Sequence, residues 1–160
     1  TREWEEATAP AREAGIRVVL LRIGMVLSPA GGALGALLPP FKAGAGGPVG
    51  SGKQWQSWIS IEDLVGAIHF ALMNDGFHGP ANAVAGSLTN RDFSRTLAHV
   101  LHRPSVMPLP GAALGAVLGE MGRELLLAGQ RVRPAALEGA GFHFAFPELE
   151  GALRFLLGAA

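Results

Sequence analysis

The sequence has no cysteine and no tyrosine. Without cysteine there is no disulfide framework and no thiolate metal site. Without tyrosine, no Tyr-Lys proton-transfer pair forms within these residues. An excess of charge is also missing, because Lys+Arg 13 balances Asp+Glu 13 for a formal net charge of +0. Nothing therefore draws the chain to nucleic-acid phosphates or to an anionic membrane surface. Long apolar runs are absent too. Pro, Gly or a charge cuts each one short of the roughly 20 residues of a membrane span. No signal-peptide pattern opens the sequence, and no cysteine calls for oxidising conditions, so the expected location is the cytoplasm. His69, His78, His99, His102 and His143 show no metal-ligand spacing, and no Ser sits in a nucleophile elbow.

What is present is a 160-residue chain that is 49% hydrophobic, with a mean hydropathy of +0.29. That suffices for one compact domain and excludes disorder as the main state. The counts of Gly 23 and Pro 11 imply many turns, or backbone lying close to a ligand or another element.

The chain opens as helix, with Gly15 as a helix terminator. Ile16 to Arg22 follows as a strand whose middle, Val18 to Leu21, is continuously aliphatic. Lack of alternation implies cover on both faces and neighbours on both sides, as in a parallel sheet flanked by helices. Helix, turn and strand form the closing half of a βαβ unit whose opening strand is missing, so the sequence reads as a fragment or second half of a longer protein. Ala33 to Phe41 predicts a short helix stopping at Pro39-Pro40, and Trp55 to Ile59 a strand. Ser60-Ile61-Glu62-Asp63 is a capping box opening a helix to about Asn74, with Ile61, Leu64, Val65, Ile68 and Leu72 as its apolar stripe. Pro80 to Ala85 reads as a strand around Asn82. Thr89 to Asp92 is a second capping box, backed by Phe93, Leu97, Val100 and Leu101. Helices are expected at Ala112 to Leu118, Glu120 to Gln130 and Pro134 to Gly139, with a last one starting at Pro147. Strand–helix alternation giving way to helices predicts an α/β fold: the C-terminal part of a Rossmann-like doubly wound parallel sheet in residues 1–104, and a small, mostly helical substrate-side cap in 105–160.

Several motifs bear on chemistry. Gly47 to Gln54 nearly matches a phosphate-binding loop, but Gln54 stands where a hydroxyl must hold magnesium, and a Trp-rich strand follows where a helix is needed. A plain turn or a Gly-rich substrate loop fits better. No G-x-G-x-x-G follows a strand, so the principal dinucleotide anchor is lacking. Arg22 to Ser28 lies at the carboxyl end of the expected strand, where open α/β sheets bind ligands. Arg22 reads equally as a strand-end ion pair with an acidic helix residue. Trp55 and Trp58 fall on opposite faces of their strand. They either frame a pocket with Lys53 and Gln54, or divide into one core and one lid indole.

Taken in order, these segments resemble a known family. Trp4-Glu5, Gly15 to Leu27, Gly31 to Leu34, Leu38 to Phe41, Gly46 to Pro48, Gly50 to Trp55, Ser57 to Ile59 and Glu62 to Leu64 resemble the C-terminal half of the epimerase-like branch of the extended short-chain dehydrogenases/reductases. Gly115 to Leu157, with Gly129 to Val132 and Pro147 to Leu149, resembles that branch's appended C-terminal domain of unknown function. The resemblance implies a Rossmann fold with NADP or NAD bound mostly by an absent N-terminal half. It implies that Arg22, Gly24, Met25, Val26 and Leu27 bind the cofactor, and that Lys53, Gln54, Trp55 and Trp58 form the substrate-side wall. Two departures stand out. Ser60 occupies a position where the family commonly has His, and Thr1 stands near the family's Lys, so the resemblance assigns no catalytic residue.

Two functions follow from this. One is an NAD(P)-dependent oxidoreductase, epimerase or dehydratase acting on a small, sugar-like substrate, with this chain inactive alone. The other is a non-catalytic module that senses a dinucleotide or binds a protein. In either case the apolar faces around Val18 to Leu21 require cover from a second copy, a swapped element or an N-terminal segment.

Overall fold

In the computed structural model, residues 2–105 and 129–159 are described. The expected helix at Ala112 to Leu118, and most of that at Glu120 to Gln130, lie outside the described residues. Two short helices, α1 (Arg2–Glu6) and α2 (Ala9–Glu13), lead to Gly15, whose φ of 77° makes the reversal that ends α2. Strand β1 (Val19–Ile23) runs into β2 (Met25–Leu27), followed by α3 (Gly32–Lys42), β3 (Trp55–Ser60) and α4 (Ile61–Met73). Next come β4 (Gly79–Ala83), β5 (Gly86–Thr89), α5 (Asn90–Val100), α6 (Ala135–Gly139) and α7 (Leu149–Leu157). No helix among the described residues is long and apolar enough to cross a membrane.

The strands form two small sheets. β1 and β4 pair in parallel, Val19 opposite Gly79 and Ile23 opposite Ala83. β3 pairs in parallel with β2 and antiparallel with β5. Mixed α/β architecture, with parallel strands joined by helical crossovers, is as expected. Both N-caps form. The Asp63 amide donates to Ser60 Oγ at 3.0 Å and the Asp92 amide to Thr89 Oγ1 at 3.2 Å, which fixes where α4 and α5 begin.

The main core lies between the β2–β3–β5 sheet and helices α3, α5 and α7, and includes Leu27, Leu34, Phe41, Trp58, Phe93, Leu97 and Leu153. A second cluster covers one face of the β1–β4 sheet, where Ala67, Ala71, Phe77, Ala81 and Leu137 meet Phe70, Phe142 and Phe144. Phe70 packs edge-on against Phe77 and Phe142, a preferred arrangement of aromatic quadrupoles.

Four expectations are corrected. The first strand starts at Val19 rather than Ile16, and among the described residues only β4 pairs with it. Its aliphatic run is only half-buried, with Val19 and Leu21 packed on one cluster and Ile23 51% exposed. Helix α3 continues through Pro39 and Pro40. Proline lacks a donor but keeps its acceptor, and the carbonyls of Pro39 and Pro40 take the amides of Ala43 and Ala45 at 3.1 and 3.0 Å. The predicted stripe of α4 is only partly its core face, with Leu64 and Ile61 packed inward and the rest outside. Asp63, Leu64, Ala67 and Ala71 are buried, whereas Val65, Ile68 and Leu72 are exposed. The last helix starts at Leu149 with Glu148 as its N-cap, two residues after Pro147.

Candidate functional site

A cavity of about 770 Å³ runs along the whole of β1 and reaches the β1–β2 junction at Gly24. Its wall is β1 from Val19 to Gly24, with Asn82 and Val84 behind, Trp4 and Glu5 from α1, and Gln130 and Val132 from the C-terminal part of the chain.

Arg22 sits at its rim. Its Nε and Nη2 donate to Glu5 Oε1 and Oε2 at 2.7 and 2.8 Å, a bidentate pair that holds α1 against β1. The hydrogen bond from Arg22 lowers the pKa of Glu5 below the ordinary carboxylate value, and the same bond raises that of Arg22. The strand-end ion pair is thus the role that this structure gives Arg22.

Gly24 is where β1 passes into β2. A Cβ there would lie 2.7 Å from the Ser57 carbonyl oxygen and 3.1 Å from Val84 Cγ2, so only glycine lets the two sheets approach at the crevice. Of the expected cofactor positions, Arg22 and Gly24 line the cavity. Met25 and Leu27 point into the main core, and Val26 packs with Ile59, Leu64 and Ala83.

The expected substrate wall is dispersed. Lys53 is exposed. Gln54 Nε2 donates to the Val49 carbonyl at 2.9 Å. Trp58 is 2% exposed in the main core, while Trp55 is half-buried with the Arg131 guanidinium 4.5 Å above its ring. The pair therefore divides into one core indole and one nearer the surface. None of the four residues is on the cavity wall among the described residues. The Gly47–Gln54 loop is a pinned turn: Val49 N donates to Asn90 Oδ1 at 2.6 Å and Arg91 N to the Gly52 carbonyl at 2.9 Å, and β3 follows it directly.

Residues 129–133 link wall and sheet as a strap. Ser57 Oγ donates to the Gln130 carbonyl and Ser87 Oγ to the Val132 carbonyl, both at 2.7 Å. The Val132 amide returns a bond to Ser57 Oγ at 3.1 Å and to Ser87 Oγ at 3.2 Å. Asn82 Nδ2 donates to the Arg133 carbonyl at 3.1 Å. Gly129 abuts the backbone of Trp55 too closely to admit a Cβ. Sequence reasoning did not place Trp4, Glu5, Asn82, Gln130 or Val132 in a site. The signals for them were indirect: Trp4-Glu5 and Gly129 to Val132 carry the family resemblance, and the acidic helix residue expected to pair with Arg22 is Glu5.

Among the described residues, no three His, Asp or Glu side chains gather into a metal-ligating group.

Comparison with known proteins is consistent across sequence and structure. A domain of unknown function (DUF1731) matches residues 109–156. Epimerase family protein Mb2239 of Mycobacterium bovis is 47% identical over 143 residues, which cover 89% of this chain and 48% of the relative. The crystal structure of human epimerase family protein SDR39U1 (isoform2) with NADPH superimposes with a TM-score of 0.83 at 42% identity, covering 89% of this chain and 49% of that one. The UDP-glucose 4-epimerase of Thermus thermophilus, in complex with NAD, gives a TM-score of 0.65 at 19% identity over 99% of this chain and 52% of that one, a likeness of fold. The chain spans about half the length of the curated relatives it matches.

Proposed function

We propose, since the chain belongs to the epimerase-like branch of the extended short-chain dehydrogenases/reductases, that its crevice receives the nicotinamide end of NADP or NAD beside a small, sugar-like substrate. The observation that carries this reading is the cavity along β1, which extends past the carboxyl ends of two parallel strands to Gly24 and Val84. Ligands in open α/β sheets lie outside those ends. That a relative was crystallised with NADPH supports the same cofactor class here.

In this reading the protein is an NAD(P)-dependent epimerase- or oxidoreductase-type enzyme of the cytoplasm. The cofactor supplies reversible hydride transfer when bound. The chain's own residues orient and exclude water. Arg22 and Glu5 fix the rim, Gly24 brings the backbone of the β1–β2 junction close, and Met25, Val26 and Leu27 stiffen that junction from beneath. Lys53, Gln54, Trp55 and Trp58 lie away from this wall and have no part in the reading, which keeps residues 105–160 as a cap on the 1–104 body.

The test is a fluorescence titration of NADPH into the protein at the full length its gene encodes. Saturable binding at micromolar cofactor is expected. No binding at millimolar cofactor sinks the proposal. Gly24→Val, which fills the junction, should abolish binding while leaving a folded circular-dichroism spectrum.

A further inference from the structure

Two serines on neighbouring strands hold the strap by their side chains. Ser57 of β3 and Ser87 of β5 are cross-strand partners, and their hydroxyl oxygens lie 2.8 Å apart. Each donates to one strap carbonyl, and the Val132 amide is shared between the two oxygens. Among the described residues, no main-chain group of 129–133 pairs with another main-chain group. The strap therefore crosses the sheet without a ladder. Its remaining holds are the Asn82 side chain on the Arg133 carbonyl and the Arg131 guanidinium on the Trp55 ring.

The clasp is one proton short. Each hydroxyl carries a single proton, yet three contacts call for one: the two strap carbonyls and the 2.8 Å approach of one hydroxyl oxygen to the other. With both protons on carbonyls, the two oxygens face each other with only the shared amide to separate them. With one proton between the oxygens, a strap carbonyl is let go. Gln130, Arg131 and Arg133 are exposed as well, so little apolar burial backs the clasp. Surface segments held by few apolar contacts and solvent-accessible hydrogen bonds occupy the low-stability end of a fold. The residues that follow are firmly held, because Pro134 and Leu137 are buried.

Gln130 and Val132 carry the strap into the wall of the cavity along β1. We propose that residues 129–133 are a latch on this crevice, shut while Ser57 and Ser87 hold it and lifted, about the buried Pro134, when their clasp opens, so that ligand leaves past the lifted strap. The inference rests on the proposed cofactor site and adds control of ligand exchange to it. Ser57 and Ser87 act as positioning residues through the strap.

The experiment uses the protein at the full length its gene encodes. Exchange of the Val132 amide, read by NMR on valine-labelled protein, reports the clasp without any ligand. It should run about tenfold or more faster than exchange in the β3–β5 ladder, because the strap opens alone. A single remaining hydroxyl still donates to its carbonyl and accepts the Val132 amide, free of crowding. Ser57→Ala or Ser87→Ala alone should therefore speed the exchange less than about threefold, and the two together about tenfold or more. NADPH release, followed by stopped-flow fluorescence, should quicken in the same pattern, and Ser57→Thr with Ser87→Thr, which keeps both hydroxyls, should restore the wild-type rate. Thermal melts check that each variant is folded, and the single variants carry the test if the pair is not. If Val132 exchanges in step with the ladder, the strap opens only with the sheet and the latch is overturned. It is overturned equally if Val132 opens alone but the folded double variant releases NADPH at the wild-type rate. If wild type binds no NADPH, the cofactor reading fails and the latch's role in ligand exchange fails with it.

Discussion

Asp63 accepts a hydrogen bond from the Ala145 amide at 2.6 Å, across 82 residues of sequence. The same carboxylate takes the Phe146 amide at 3.2 Å and the Ser60 hydroxyl at 2.9 Å. A residue whose local task is to cap α4 therefore also anchors the segment leading into α7. Asp63→Ala removes all of these bonds from a site that is 3% exposed, and it leaves two backbone donors unpaired. We expect a loss of about 3 kcal/mol in urea unfolding, with Asp63→Asn costing less.

Glu5 and Arg22 make a pH-dependent hold on α1. Hydrogen bonding to Arg22 lowers the Glu5 pKa in the folded chain. Its contribution to stability is therefore complete above the unfolded carboxylate value, about 4.3, and is lost as pH falls through the lower folded value. Arg22→Ala should return the Glu5 titration, followed by carbonyl-carbon NMR, to the ordinary carboxylate range.

Gly24→Ala tests the junction without a large side chain. Its Cβ would press on the Ser57 carbonyl, which is backbone and cannot swing away. We expect a destabilisation of about 1–3 kcal/mol, read as a lowered melting temperature. An unchanged melt would mean that the two sheets have room to part at Gly24.

Gln56 is a buried liability. It lies in β3 at 3% exposure, and among the described residues neither its Nε2 nor its Oε1 finds a partner. Gln56→Met keeps the shape and removes the unpaired polar atoms. We expect a gain of about 1 kcal/mol in denaturant unfolding.

The exposed face of α4 should drive association. Val65, Ile68 and Leu72 are exposed on a single helix, and Ile68 and Leu72 adjoin Val19 and Leu21 of β1 across an apolar groove. Light scattering of this chain should show species larger than a monomer, and Ile68→Lys with Leu72→Glu should shift it toward the monomer.

The parts of this fold that are written locally were legible. Both N-caps follow from a hydroxyl and a carboxylate three residues apart, and each formed. The junction from Arg22 to Leu27 could be placed at a strand end because the charged Arg22 and then Gly24 interrupt the aliphatic run. The Pro39-Pro40 pair misled because proline blocks donation but not acceptance. At the end of a helix only acceptance is still needed. The α4 stripe misled because helical spacing shows that a face is apolar, not which neighbour it meets. Hydropathy ranks Ile68 and Leu72 above Ala67 and Ala71, yet the alanines let Phe77 and Leu137 approach. The crevice was half legible. Its strand-end wall lies in one continuous segment, whereas the strap reaches it through hydroxyls of Ser57 and Ser87. Nothing in the sequence near either serine announces a partner more than forty residues away.

Strand β1 gives one flank to β4, and among the described residues the other remains bare. A bare flank of this kind works as a template. Any polypeptide that zips onto it meets a row of amides and carbonyls from Val19 to Ile23, and the side chains on the two faces select its register. The chain thus carries the alignment rules for its own enlargement.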